Sequence, residues 1–350
     1  MIRHSIERLG LVIAALLLSA CASLPWPSGS ARQTGAAAGD GWIDLRGVVH
    51  VHTRVSHDSH GSIAAVVDAA NGAGVAWVAF SEHTRNARGV PASGVIDGVI
   101  LIPGWEVSVL GGSMLALGVS DAARLPRAPR ALVEEIHARG GAAFVGHIER
   151  SALMEPARFA AAEPDGIEIA NLHARAAEVP TRLALGHLLL PAQLALRPLL
   201  GAPRANLARW SELPGARSIV GGVDAHAKFR ALGPLGGTID RYRDTFRLLT
   251  THVRVRERSA SAILEALREG RSYVAFEGIA PVDSFEVSRE GSSVRVRAPR
   301  EARLLLVCAG AVESEAVGLE VELRASEDTS RCHVEAWLGD RLWIATSRLG

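Results

Sequence analysis

From Trp42 to about Ile279, short apolar runs alternate with stretches whose apolar residues recur three and four positions apart, and this alternation constrains the chain more than any other feature. The runs are "RGVVHVH", "VAWVAFSEH", "VILIPGWE", "GAAFVGH", "GIEIANLH", "SIVGGVDAH" and "SYVAFEG". Between them lie "SIAAVVDAANGAG", "APRALVEEIHARG", "RLALGHLLL" and "SASAILEALREG", which predict helices. Gly74, Gly140 and Gly270 follow the last turn, where a left-handed cap favours glycine. Continuously apolar strands separated by helices predict a parallel sheet covered on both faces, either an α/β barrel or a doubly wound sheet. After Pro281 the pattern becomes period-two, as in "DSFEVSRE", "SSVRVRA" and "LEVELRA", with turn signals at Glu290-Gly291 and Gly339-Asp340. That predicts a small all-β, sandwich-like module with Trp337 and Trp343 in its core.

The start of the chain is different in kind. "MIRHSIERLGLVIAALLLSAC" has a basic beginning, an apolar stretch from Leu9 to Leu18 and small residues before Cys21, the pattern of an export signal. The stretch is shorter than the ~20 residues a permanent membrane helix needs. Leu18, Ser19, Ala20 and Cys21 resemble the lipobox of bacterial lipoproteins, which implies acylation of Cys21. Ala22 at the next position resembles the outer-membrane sorting signal of such proteins, so the resemblance implies a periplasm-facing, lipid-anchored protein of the cell envelope. The expected organisation is a signal over 1–20, a flexible Ala/Gly/Ser/Pro-rich tether over 21–41, an α/β domain over 42–279 and a β module over 280–350. A net charge of +1 gives no nucleic-acid footprint, and no second membrane segment is expected. Cys308 and Cys332, placed by export where disulfides survive, are open to two readings: a bridge, or two buried thiols.

Most of the apolar runs end in a potential metal ligand: His50 and His52, His83, Glu106, His147, Asp224 and His226. In α/β barrels the C-terminal strand ends assemble the active site. Residues two apart on a strand point the same way, so His50 with His52, and Asp224 with His226, are each expected to face one side. A cluster of imidazoles and carboxylates suits Zn²⁺, Mn²⁺ or Fe²⁺. Each signal is weak alone; their joint placement is not. Asp58 is the expected further ligand from the loop "HTRVSHDSHGS", with His57 and His60 as alternates, His60 reading better as a solvated loop residue. His137, His187, His252 and His333 read as structural or surface residues.

These residues resemble the polymerase and histidinol phosphatase (PHP) domain of metal-dependent phosphoesterases over roughly residues 43–279. His50, His52 and Asp58 match its first motif, Glu82-His83 its second, and Pro103, Gly104, Trp105 and Glu106 its third. His147 in "FVGH" and Asp224 with His226 in "GGVDAH" match its later ligands, while "GIEIANLH" offers Glu168 and Asn171 as supporting groups. The resemblance implies a distorted (β/α)7 barrel holding two or three divalent ions, with Glu106 bridging two of them. Two departures stand out. Ser113 replaces a histidine ligand, leaving water or His173 to complete a shell, and Glu82 replaces an aspartate.

Two ions ~3.5–4 Å apart would hold a nucleophilic hydroxide and neutralise an in-line phosphoryl transfer, so Glu106, Asp224 and His226 are the expected catalytic residues, His226 as a candidate acid. Arg54, Arg85, Arg150 and Lys228 lie near the ligands and are expected to bind a small phosphorylated ester; Lys228 is the chain's single lysine. An amidohydrolase-type barrel also opens with H-x-H, but no lysine stands at a strand end to bridge its metals. Two further readings keep the same metal site: a carboxyl or carbamate ester hydrolase, and a non-catalytic metal-binding envelope lipoprotein.

Overall fold

The computed structural model describes residues 41–179, 183, 186, 195–228, 240–326 and 329–350. The export signal, Cys21, nearly all of the tether and His187 lie outside the described residues.

The chain forms a mixed α/β structure around one large sheet. Its first part carries β1 (Ile43–Val51), β2 (Trp77–Phe80), β3 (Glu82–His83), β4 (Gly94–Ile96), β5 (Val99–Ile102), β6 (Gly104–Val109) and β7 (Gly112–Leu117). It continues with β8 (Ala142–Gly146), β9 (Gly166–Asn171), β10 (Ser218–Ala225), β11 (Thr250–Val255) and β12 (Ser272–Ala275). β1 runs parallel to β2 on one side and β10 on the other. From β10 the neighbours are β9, β8, β7 and β6 in turn. β6 pairs with β3, which follows β2 after one residue, and β5 also pairs with β2.

The alternation predicts a parallel sheet, but the sheet is not parallel throughout. β6 returns directly into antiparallel β7 through a tight hairpin with Gly111 at φ 96°, leaving no room for a crossover helix. β11 lies antiparallel to β1 and β12 antiparallel to β11, so "SYVAFEG" does not join the parallel strands.

The expected helices form where capping and periodicity coincide. Ile63–Ala73 starts at Ser62, whose side chain accepts from the Ala65 N–H, and ends at left-handed Gly74. Ala260–Glu269 repeats this with Ser259 and Gly270. Pro129–Ala138 buries Leu132, Val133 and Ile136. Strand alternation divides the packing between two faces: Val48, Val78 and Phe80 pack with Val66, Leu132 and Ile136 of these helices, whereas Val49, Ala79, Leu115, Phe144 and Val220 pack on the other face.

The last part carries β13 (Glu286–Glu290), β14 (Ser293–Cys308), β15 (Ala311–Arg324), β16 (Cys332–Leu338) and β17 (Arg341–Thr346). β17 pairs with β12, so the sheet runs unbroken across the expected boundary at 279–280. Trp343 joins this module's core with Val296, Leu306 and Val334. Trp337 instead packs with the first part, its ring under the Arg204 guanidinium at 4.2 Å, because its position on β16 faces the helix Arg204–Glu212. Cys308 and Cys332 face each other across β14 and β16 and are joined by a disulfide.

Candidate metal centre

The strand ends bring together His50 on β1 with His52 beyond it, His83 on β3, Glu106 on β6, His147 after β8, and Asp224 on β10 with His226 beyond it. Asp58 reaches them from the loop before the helix Ile63–Ala73. Pleat alternation is not the device that aims the first pair. The register of β1 with both neighbours shifts between Val49 and Val51, which leaves His50 as a bulged residue in the left-handed region, φ 66°. His147 (φ 46°) and Asp224 (φ 47°) share that conformation, which costs a non-glycine residue of order 1–3 kcal/mol. Three expected ligands thus sit on strained backbone.

The spacing of the ligand atoms is informative. His50 Nε2 lies 3.5 Å from both Glu106 Oε2 and Asp224 Oδ1, and His52 Nε2 lies 3.2 Å from the same Asp224 oxygen. His83 Nδ1 is 3.3 Å from Glu106 Oε2, whereas His147 Nε2 is 3.2 Å from the other oxygen, Oε1, and 3.7 Å from Asp224 Oδ2. Asp58 stands between His83 Nε2 at 3.5 Å and His226 Nε2 at 3.3 Å. Hydrogen bonds to carboxylates are shorter, ~2.7–2.9 Å. Ligands held tetrahedrally at ~2.1 Å from one ion are ~3.4 Å apart, which is the separation found. Three groups have ligand atoms close enough to share an ion: His52, His83 and His226; His50, His147 and Asp224; and His50, His52 and Glu106. They contain every expected ligand except Asp58. His50 Nε2, His52 Nε2, Asp58 Oδ1 and Asp224 Oδ1 are buried and make no hydrogen bond, so their lone pairs are left for a cation.

The supporting groups fix which nitrogen faces inward. Glu168 accepts from His50 Nδ1 at 2.6 Å and from the His147 N–H at 3.0 Å, and Asn171 donates to Glu168 and to Asp224 Oδ2. Gly222 is required here, since any side chain at that position would overlap the Glu168 carboxylate. Glu82, fully buried, accepts the backbone N–H groups of Thr53 and Ser56 and the Ser56 hydroxyl; the Ser56 oxygen in turn accepts from the His83 N–H and His52 Nδ1. Glu82 therefore shapes the loop that carries Asp58.

No family model and no curated protein matches this chain. Among solved structures it is similar to a two-domain protein from Bacteroides vulgatus ATCC 8482 containing a predicted PHP-like metal-dependent phosphoesterase. The two are 17% identical over 89% of this chain and 96% of that one, with a TM-score of 0.41. At that distance, function has to be read from the geometry of the present site.

Charge is dense at the centre. Burial opposes ionisation of His50, but Asp224, Glu168 and Glu106 outweigh it and raise its pKa well above the ordinary value. Partial burial also opposes the charge on His147, but Glu106 and Glu168 raise it to about 9, and Asp58 and Asp224 likewise raise His226 against the cost of burial. His52 is pushed by burial down to about 3. Glu106 and Asp224, although burial works against their charge, are held low by the surrounding imidazoles.

Of the expected cations, Lys228 Nζ lies 3.4 Å from Asp58, whereas Arg54, Arg85 and Arg150 are exposed side chains with no described contact to the ligands. His57 is exposed with its ring 5.4 Å from that of His83; His60 is exposed, and only its backbone N–H reaches the site, donating to the His226 carbonyl. His173 stands beside the cluster, 5.6 Å from the His226 ring, outside the groups that could share an ion. Ser113 pairs with Gly146, next to His147, and its buried Oγ makes no hydrogen bond. Sequence reasoning missed three groups that hold the ligand backbone. The Ser59 hydroxyl reaches the His52 and His226 carbonyls, Tyr242 donates to the His52 carbonyl, and Asp240 accepts the His226 N–H. Ser59 lies inside the quoted ligand loop, but Tyr242 and Asp240 carry no local signal.

Proposed function

We propose that this chain is a metal-dependent hydrolase, and within that class a phosphoesterase of PHP type on a distorted (β/α)7 barrel. The observation that carries the proposal is Glu106: its two oxygens face different histidines, His83 and His50 on one side and His147 on the other, at separations suited to sharing ions. What supports the barrel is the run of pairings from β2 through β1, β10, β9, β8, β7 and β6 to β3, the strand that follows β2 in the chain.

His50, His52, Glu106 and Asp224 would hold one ion, Glu106 and His147 a second, and Asp58, His83 and His226 a third. Divalent ions such as Zn²⁺, Mn²⁺ or Fe²⁺ supply a nucleophile from water at neutral pH and neutralise charge developing on a phosphoryl group. The protein's own contribution is positional. Glu168, Ser56 and the Asp224 carbonyl engage Nδ1 of His50, His52 and His226, so each presents Nε2 to the centre. Both nitrogens of His226 are then committed, and we assign it to metal holding instead of acid catalysis. Lys228, with its ammonium 3.4 Å from Asp58, is the cation we assign to the anionic ester. With Ser113 offering only a hydroxyl beside His147, the second position is the weakest of the three.

We further propose that Cys21 is acylated and anchors the chain in the bacterial envelope, facing the periplasm from the outer membrane. Among the described residues no helix is long and apolar enough to cross a membrane.

Elemental analysis of the chain beginning at Ala22, coupled to turnover of phosphate monoesters, phosphate diesters and carboxylic esters, tests the proposal. Bound divalent metal with phosphoester turnover is expected. Metal with carboxylic ester turnover alone would transfer the site to the ester hydrolase reading, and metal without any turnover to a binding role.

A further inference from the structure

Between β1, β11 and β12, a histidine is buried among groups that accept hydrogen bonds from both of its ring nitrogens. His252 is 1% exposed and stands opposite Arg46 in the pairing of β11 with β1. Its Nδ1 lies 2.9 Å from Asp44 Oδ1 and 2.9 Å from the Tyr273 oxygen, whose own proton goes to Asp44 Oδ2. Its Nε2 lies 3.4 Å from Glu277 Oε1. The other partners of Glu277 are donors: the Thr250 hydroxyl, the Val282 N–H and the Arg46 guanidinium, whose Nε is 2.9 Å away. A neutral imidazole carries one N–H and one lone pair, so here it would turn a lone pair toward a carboxylate. Only the imidazolium donates at both nitrogens.

The charge balance points the same way. Asp44 and Arg46 from β1, Tyr273 from β12 and Glu277 beyond it face His252. Two carboxylates against one guanidinium leave an uncompensated negative charge in a buried place, and an imidazolium cancels it. Burial opposes the charge on His252, but Asp44 and Glu277 outweigh it and raise its pKa. Burial and Asp44 push Tyr273 well above the ordinary phenol range, so its hydroxyl keeps its proton.

The cluster sits where the chain crosses into its last part. Val282, in that crossing, is tied to it by both backbone groups: its N–H donates to Glu277 at 3.0 Å and its carbonyl accepts from Arg46 at 2.7 Å. Val282 and Phe285 then enter the core of the β module with Trp343, and the Tyr273 ring packs 5.4 Å from that of Phe285.

We propose that His252 is a proton-dependent fastener of the β module: charged, it holds Asp44 and Glu277 together so that Glu277 and Arg46 pin Val282, and once neutral it lets the crossing over 277–285 open more readily. The closed joint binds one proton more than the open one. Fastening is therefore complete below the ordinary imidazole pKa of ~6.5 and is lost as pH rises through the raised value. The joint is separate from the metal centre, since Arg46 precedes His50 by four residues, ~13 Å of strand at ~3.3 Å per residue.

Two measurements on the purified protein test this. Nitrogen NMR of the His252 ring, assigned by its loss in His252→Gln, reads the protonation, and both nitrogens protonated at pH 7 are expected. Hydrogen exchange at the Val282 amide, corrected for its intrinsic rate, reads the opening. Protection should fall about tenfold per pH unit between the ordinary imidazole value and the raised one, whereas His252→Gln should be less protected and lack that slope. A ring neutral at pH 7, Val282 protection that is flat with pH, or a slope that survives in His252→Gln would each overturn the proposal. Should the variant fail to fold, the wild type decides alone: the slope must end at the pH where the ring titrates, and a mismatch overturns the proposal.

Discussion

Glu168→Gln is the sharpest single perturbation of the centre, because the replacement keeps the shape and alters only the pattern of donors and acceptors. Glu168 is 1% exposed and receives three donors: His50 Nδ1 at 2.6 Å, the His147 N–H at 3.0 Å and the Asn171 amide at 3.1 Å. A glutamine must turn its NH2 toward one of the first two. Facing His147, it leaves two donors head to head in a buried place, at a cost of ~1–3 kcal/mol. Facing His50, it demands an unprotonated Nδ1, which moves the proton to Nε2 and blocks the nitrogen aimed at Glu106 and Asp224. Either way metal binding suffers. Loss of such a supporting group weakens metal affinity ~10–100-fold, which is roughly 1.4–2.7 kcal/mol. Competition against a chelator of known affinity measures this directly, with circular dichroism to show that the fold is retained. Unchanged affinity in a folded Glu168→Gln protein would mean that His50 Nε2 holds no ion.

Other consequences are equally open to measurement. Metal must displace protons from His50, His147 and His226, whose pKa values are raised, so affinity should rise with pH toward about 9, where His147 deprotonates unaided. Calorimetry in buffers of different ionisation enthalpy should show one to three protons released at pH 7, and none would contradict the assignment. Asp224→Ala with His226→Ala should lower bound metal and abolish hydrolysis; activity that persists would place the site elsewhere. Ser113→His puts an imidazole beside His147 and should raise metal occupancy of the weakest position, as read by elemental analysis; no gain would mean that this side chain faces away from the ions. Tyr242→Phe removes one buried hydrogen bond to the His52 carbonyl and should cost ~1 kcal/mol in denaturant unfolding while leaving metal content near wild type.

The cluster was legible in the sequence because parallel strands end on one side, and each run carries a histidine or carboxylate at that end. His50, His83, Glu106, His147 and Asp224 therefore announce themselves one by one, and the structure brings them within a few ångströms. What sequence periodicity hides is backbone that breaks the period. The bulge at His50 and the left-handed Asp224 are conformations that no propensity of histidine or aspartate predicts, and the packing around them has to impose them. β7 was missed because "GSMLAL" is short and begins at the glycine of a hairpin, so it reads as a continuation of β6. The partnership of Tyr242 with the His52 carbonyl spans 190 residues, a distance over which no local pattern carries information. Among the expected cations the sequence does not separate Lys228, whose ammonium reaches Asp58, from Arg54, Arg85 and Arg150, whose side chains are exposed.

The measurement that reaches the central claim most directly is anomalous diffraction at the metal absorption edges from crystals of the purified protein. Two or more peaks are expected between His50, His52, Glu106, Asp224 and their neighbours, with ligand distances of ~2.0–2.2 Å and Glu106 touching two of them. A map with no peak among these side chains, after growth and purification with divalent metals present, would contradict it.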